Sequence, residues 1–288
     1  MKVKTISVIL VLIVFISLYW FTGIFQANKI DDKDLKKWNF SNGVIIGAEE
    51  FKVNGSTEYC WLLIHGYVGT PAEMKKLAER ISFEFNDTIH APRLSGNGEV
   101  PSALLNKTID IWYGEVSEDF DEMKKSCKHV NVLGSSFGGT LSLRLAEEND
   151  FDNLYLLNTF LVSKYEPLFI FSEILGYGKN SLLQTINDPE GRKNFITNKA
   201  MPFVPVKKSL SFIKITRENL DKITESAAVF HSKRDITADY QSSEKIYSEI
   251  SSKIKEINLY KKSSHILLLD YDKEDIINKI IEFEKQNR

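Results

Sequence analysis

The sequence predicts an α/β fold, a mostly parallel sheet with helices on both faces, behind an N-terminal membrane-spanning helix. Three observations carry this reading. Short apolar runs of strand length alternate with amphipathic stretches of helix length, the pattern of strands joined by helical crossovers. The 288 residues are 43% hydrophobic, enough to bury a sizeable core. Finally, Ile6 to Phe25 runs without a charged side chain. At about 1.5 Å per residue, a helix of that length just spans the hydrocarbon core of a bilayer.

The positive charges of the amino terminus, Lys2 and Lys4 precede the apolar run, so the N-terminus is expected on the cytoplasmic side and the remainder on the extracytoplasmic side. Tyr19, Trp20 and Phe21 fall near its far end, where amphipathic rings favour the interface. The alternative is a cleaved signal peptide and a secreted product. Against it, the run is long for a signal, and bulky Phe25 stands two positions before Ala27, the nearby small residue. The expected organisation is an anchor over residues 1–28, a juxtamembrane linker over 29–41, and a catalytic domain over 42–288.

Within that domain, Val44–Ile46 and Phe51–Val53 read as opening strands, and Tyr59–Ile64 as a buried strand because it is almost continuously apolar. Pro71–Phe85 has helical spacing, with Met74, Leu77, Ile81 and Phe85 on one side and charges on the other. A helix over Ile109–Lys125, a strand over Val130–Leu133, a helix over Thr140–Glu148 and a strand over Leu154–Leu157 follow. Ala227–Phe230 and Ile257–Tyr260 are further strands, and Tyr240–Ser252 and Glu274–Lys285 helices. Residues 159–226 break this rhythm with many large apolar residues, among them Phe160, Leu161, Tyr165, Leu168, Phe169, Ile170, Phe171, Ile174, Leu175 and Tyr177. A connection so long inside a compact domain reads as an inserted lid.

Composition excludes several classes. Lys and Arg number 37 against 39 Asp and Glu, a net charge of -2, which does not suit a nucleic-acid binder. Two cysteines cannot build a four-ligand zinc cluster. Neither a phosphate loop nor a dinucleotide fingerprint occurs, so no nucleotide cofactor is expected.

The chemistry centres on Gly134-Ser135-Ser136-Phe137-Gly138, between a strand and a helix. In a Gly-x-Ser-x-Gly elbow the glycines permit a turn tight enough to lift the serine above the sheet, making Ser136 the candidate nucleophile. A serine hydroxyl needs a base, and that base needs an acid to hold its tautomer. With this elbow the order is serine, acid, histidine. His65, His90 and His129 precede Ser136, and His231 has no strand-end acid between it and the serine, which leaves His265 as the candidate base. Asp235 follows the strand Ala227–Phe230 and is the candidate acid. Its rival Asp239 is better placed to cap the next helix. The oxyanion donors are expected to be the backbone N–H groups of Phe137 and of Tyr67, the latter in His65-Gly66-Tyr67-Val68-Gly69-Thr70-Pro71. His65 sits before that turn and reads as a structural hydrogen-bonding residue. The triad requires no metal.

These residues, with Ala91-Pro92-Arg93-Leu94-Ser95-Gly96-Asn97-Gly98, Pro101, Leu104 and Trp112, resemble the α/β-hydrolases, specifically the bacterial carboxylesterase and monoacylglycerol lipase group. The resemblance implies an eight-stranded core whose lid follows the sixth strand and forms the acyl pocket. It also implies hydrolysis of apolar acyl esters, such as a monoacylglycerol, a lysolipid or a simple ester. The same triad could instead serve an acyltransferase or a peptidase, or the scaffold could be a membrane-tethered binding protein without catalysis. Where this group usually carries Gly-His-Gly, the chain has Gly96-Asn97-Gly98. The implied sheet order places Cys60 and Cys127 near one edge of neighbouring strands, as a disulfide or as two reduced thiols.

Overall fold

The computed structural model describes residues 8–17, 36–162, 177–179, 185–197 and 200–288. Of the apolar stretch Ile6–Phe25, residues 8–17 are described, as a helix with its apolar side chains half exposed or more. Among the described residues no helix is long and apolar enough to cross a membrane. Tyr19, Trp20, Phe21, Ala27 and the linker up to residue 35 lie outside them, as do Tyr165, Leu168, Phe169, Ile170, Phe171, Ile174 and Leu175 of the expected lid.

The strands in chain order are β1 (Phe40–Ser41), β2 (Val44–Ile45), β3 (Phe51–Val53), β4 (Ser56–Ile64), β5 (Asp87–Ala91), β6 (His129–Ser135), β7 (Asn153–Leu157), β8 (Tyr177–Lys179), β9 (Ala200–Pro202), β10 (Ser226–Ser232) and β11 (Lys255–Tyr260). Among the described residues seven of them form the main sheet, in the order β11-β10-β7-β6-β4-β5-β3, and the eighth strand that the resemblance implied is not among these. All neighbours are parallel except β3, which runs antiparallel at the edge beside β5. The expected strand at Val44–Ile46 lies apart from this sheet. Val44–Ile45 pairs with Phe40–Ser41 in a short antiparallel hairpin, and Ile46 is exposed.

Successive side chains of a strand point to opposite faces, and this sheet is buried on both. Cys60, Leu62 and Ile64 of β4, Leu154 and Leu156 of β7, and Ala227 and Val229 of β10 join one core. The helices Ile109–Ser126, Phe137–Glu148 and Gln241–Glu249 close over it. The alternate residues, Trp61, Leu63, Tyr155, Leu157, Ala228 and Phe230, join a second core under the helices Lys75–Phe85 and Lys273–Asn287. Each large aliphatic side chain so buried stabilises the fold by about 1.5–3 kcal/mol. Cys60 and Cys127 form a disulfide with Cα atoms 6.1 Å apart, tying β4 to the segment that leads into β6.

The order of strands locates the site. From β4 the chain passes to β5 on one side and then to β6 on the other, so the connections diverge between β4 and β6. Ligands of open α/β sheets bind in the crevice that such a reversal opens at the carboxyl ends of the strands.

Candidate active site

Ser136 directly follows β6 and adopts φ 54°, ψ -115°, a backbone conformation that few residues other than glycine accept. Two glycines make the turn feasible. A side chain at Gly134 would meet the Gly138 carbonyl at 2.3 Å, and one at Gly138 would meet the Ile64 carbonyl at 2.2 Å. The helix Phe137–Glu148 starts at the next residue, so the Phe137 N–H belongs to its positively polarised end.

Above this elbow lies a hydrogen-bonded line of three side chains. His265 Nε2 is 2.8 Å from Ser136 Oγ, and His265 Nδ1 is 2.6 Å from Asp235 Oδ2. All three side chains are buried. Asp235 Oδ1 accepts the N–H groups of Thr237 and Ala238 at 2.7 and 3.0 Å. Burial alone pushes the Asp235 carboxyl up, but the His265 and His231 imidazoles reverse this and hold it well below the usual carboxylate range. Asp239 lies outside the line; its Oδ1 accepts the N–H of Gln241, the first residue of the helix Gln241–Glu249, whose N-cap position is Tyr240.

His231 is fully buried beside the acid, with Nε2 3.5 Å from Asp235 Oδ2 and Nδ1 2.6 Å from Ser243 Oγ. His65 bridges two loops: Nδ1 donates to the Gly66 carbonyl at 2.7 Å and Nε2 accepts the Leu94 N–H at 3.1 Å. Burial pulls its pKa from the ordinary 6.5 down to about 4, which keeps it neutral in this role.

The loop after β4 runs against the nucleophile, since a side-chain carbon at Gly66 would lie 3.0 Å from Ser136 Cβ. Gly69 N–H donates to the Gly66 carbonyl at 3.1 Å, closing a turn with Tyr67 and Val68 at its corner. Val68 has φ 55°, a costly conformation for a β-branched residue. Two side chains hold it there. Asn97 Oδ1 accepts its N–H at 2.8 Å, and Thr197 Oγ1 donates to its carbonyl at 2.7 Å. Asn97, standing where a histidine is usual, thus braces the turn that carries Tyr67. Tyr67 Oη in turn donates to the Pro202 carbonyl at 2.6 Å, so the far arm of the insertion is fastened to this loop.

The chain shows 30% identity over 247 residues to a thermostable monoacylglycerol lipase of Bacillus sp. (strain H-257), covering 83% of this chain and 95% of that one. The chain belongs to the bacterial carboxylesterase and monoacylglycerol lipase family of α/β-hydrolases. A carboxylesterase of Bacillus subtilis (strain 168) is 24% identical over 224 residues, 77% of this chain and 90% of its own length. Among solved structures, one from a report on two metagenome-derived lipolytic enzymes, LipS and LipT, superposes with a TM-score of 0.78. It is 23% identical and covers 84% of this chain and 99% of that one. No family model matches the chain.

Within this family fold, one supporting residue escaped the sequence reading. Asn158, directly after β7 and itself at φ 42°, donates through Nδ2 to the carbonyls of Ser264 and His265 at 2.9 and 2.6 Å. Its Oδ1 accepts the Ser232 N–H at 2.8 Å. It therefore joins the histidine loop to the end of β10, from which the Asp235 loop departs. The signal was faint, an asparagine at a strand end, a residue type that tolerates left-handed backbone.

Proposed function

We propose that the protein hydrolyses carboxylic esters with apolar acyl chains through an acyl-serine intermediate. The observation that carries this reading is the line Ser136–His265–Asp235, with contacts of 2.8 and 2.6 Å at a strained elbow. Ser136 Oγ attacks the ester carbonyl carbon while its proton passes to His265 Nε2. The carbonyl oxygen becomes an oxyanion held by the Phe137 and Tyr67 amides. The bond to the alcohol oxygen then breaks, and His265 returns the proton to the departing alkoxide. Water, deprotonated by His265, attacks the acyl-serine to release the carboxylic acid and restore Ser136. Asp235 orients the ring and stabilises the imidazolium that forms twice per cycle.

The surroundings support an apolar acyl group. Tyr67, Trp112, Phe137 and Phe160 form a chain of tilted rings with centroids 5.2–5.6 Å apart along its successive Trp112–Tyr67, Tyr67–Phe137 and Phe137–Phe160 contacts. Monoacylglycerols, lysolipids and simple esters all carry an acyl group suited to such aromatic surroundings. The uncharged run Ile6–Phe25 behind Lys2 and Lys4 supports tethering to a membrane, with the catalytic part on the extracytoplasmic side. The Cys60–Cys127 bridge agrees with that oxidising side. Ser136→Ala is expected to abolish turnover of a chromogenic short-chain ester while the unfolding transition is retained. Undiminished turnover would refute the mechanism, and a catalytic domain recovered wholly in the soluble fraction of cells would refute the tether.

A further inference from the structure

Behind the oxyanion loop lies a carboxyl that the triad leaves unused. Glu73 stands in the 3-10 turn Pro71–Met74 that follows the loop, and is 2% exposed. Its Oε1 accepts the Gly66 N–H at 3.3 Å. Its Oε2 reaches under the turn, so that a side-chain carbon at Gly69 would come within 2.9 Å of it. Among the described residues this buried oxygen has no hydrogen-bond partner. Burial pushes the Glu73 pKa from the ordinary 4.5 up to about 7, against the pull of the Gly66 amide, of His265 and of Ser135, the residue before the nucleophile.

We propose that Glu73 is a positioning residue for ester hydrolysis: its buried carboxyl takes the Gly66 N–H beneath the turn that carries Tyr67 and so holds the Tyr67 amide in place for the oxyanion. The proposal rests on the serine-hydrolase reading above. An apolar residue at this place would leave the Gly66 N–H buried and unpaired, so the loop needs an acceptor there. Glutamine would supply one without charge, so the glutamine variant keeps the brace on the Gly66 amide and the leucine variant loses it.

Glu73→Gln, Glu73→Leu and Ser136→Ala are to be compared with the wild type for kcat and KM on a chromogenic short-chain ester across the pH range, with thermal unfolding alongside. In Glu73→Gln kcat and KM are expected to stay within a few-fold of the wild type, because the amide oxygen accepts the Gly66 N–H in place of the carboxylate. In Glu73→Leu kcat is expected to fall about 10–100-fold at nearly constant KM. Should the leucine variant fail to fold, Glu73→Ala, which also removes the acceptor, decides in its place. A folded leucine or alanine variant with full kcat, or a glutamine variant that loses kcat as far as they do, would overturn the role of Glu73 and leave the hydrolase reading standing. Undiminished turnover in Ser136→Ala would instead overturn that reading.

Discussion

Under the proposed mechanism, Asn158→Ala separates the support of the base His265 from the base itself. The asparagine is fully buried and makes three side-chain hydrogen bonds, two to carbonyls of the histidine loop and one to the Ser232 N–H. At a net worth of about 1 kcal/mol each, their loss destabilises the fold by about 3 kcal/mol. For a domain of this size that lowers Tm by roughly 6–12 °C. Activity falls for a different reason. The His265 carbonyl loses its 2.6 Å tether, and a shift of about 1 Å at the base costs on the order of 100-fold in rate. Calorimetry and ester turnover, both measured well below the lowered Tm, check the two effects separately. His265→Ala serves as the comparison, since it removes the base and leaves the three bonds of Asn158 in place. An Asn158→Ala variant within twofold of wild-type kcat would refute the claim that this side chain positions the base. A Tm unchanged within about 2 °C would refute the energetic part.

Three further outcomes follow from the geometry. Asn97→Ala and Thr197→Ala each free one end of Val68 and are expected to reduce kcat about tenfold with little change in KM, because in the proposed mechanism the Tyr67 amide acts on the transition state; a pure KM effect would contradict this. Because the folded-state pKa of His65 is depressed from 6.5 to about 4, the unfolded chain binds its proton first, so stability is lost as pH falls from about 6.5 to about 4. The loss is about 3 kcal/mol, and unfolding midpoints of His65→Gln that fall in parallel with the wild type over this range would refute it. Replacing both Cys60 and Cys127 by Ala releases a crosslink spanning 67 residues, at most about 4 kcal/mol in the chain-entropy view. The wild type should then lose Tm on reduction while the double variant does not respond, and equal insensitivity of both would count against the bridge.

The features carried by local pattern are the legible ones. The strand at Tyr59–Ile64 announces itself by an unbroken apolar run, and the elbow by two glycines within five residues. His265 emerged from chain order. The strand Asp87–Ala91 did not emerge, because Asp-Thr-Ile-His-Ala carries polar residues whose partners are remote. Asp87 accepts from the Trp61 indole at 2.9 Å and pairs with Arg288, while His90 lies 3.7 Å from Asp119. Periodicity cannot register such contacts, since it weighs each side chain as if its neighbours in sequence were its neighbours in space. The same limit hid the supports of the site. Asn97 stood out as a departure from the family pattern, but its bond to Val68 crosses 29 residues. The bonds of Asn158 cross 74, 106 and 107 residues.

The backbone strain of the site and those remote bonds have one explanation. Among the described residues five without a glycine side chain adopt positive φ, and three of them, Val68, Ser136 and Asn158, lie just past the ends of β4, β6 and β7. Each such conformation costs on the order of 1–3 kcal/mol, so local preference opposes all three. What opposes local preference has to come from elsewhere in the chain. The Val68 amide and carbonyl are held by Asn97 and Thr197, the Ser136 amide and carbonyl by the Leu157 carbonyl and the Phe160 amide, and the Asn158 amide by the Phe230 carbonyl. Every one of these partners lies at least 21 positions away. The turns that expose the nucleophile and aim the amides are therefore stable only once the sheet is assembled. Thr197 and Pro202 extend this dependence to the insertion, which grips the oxyanion loop at Val68 and Tyr67. Trp38 Nε1 bonds the Thr197 carbonyl at 3.2 Å, so the end of the N-terminal linker bears on the same residue that braces Val68. Loop, insertion and linker thus share one set of contacts, which meets at Val68, two residues from the Gly66 that lies against Ser136.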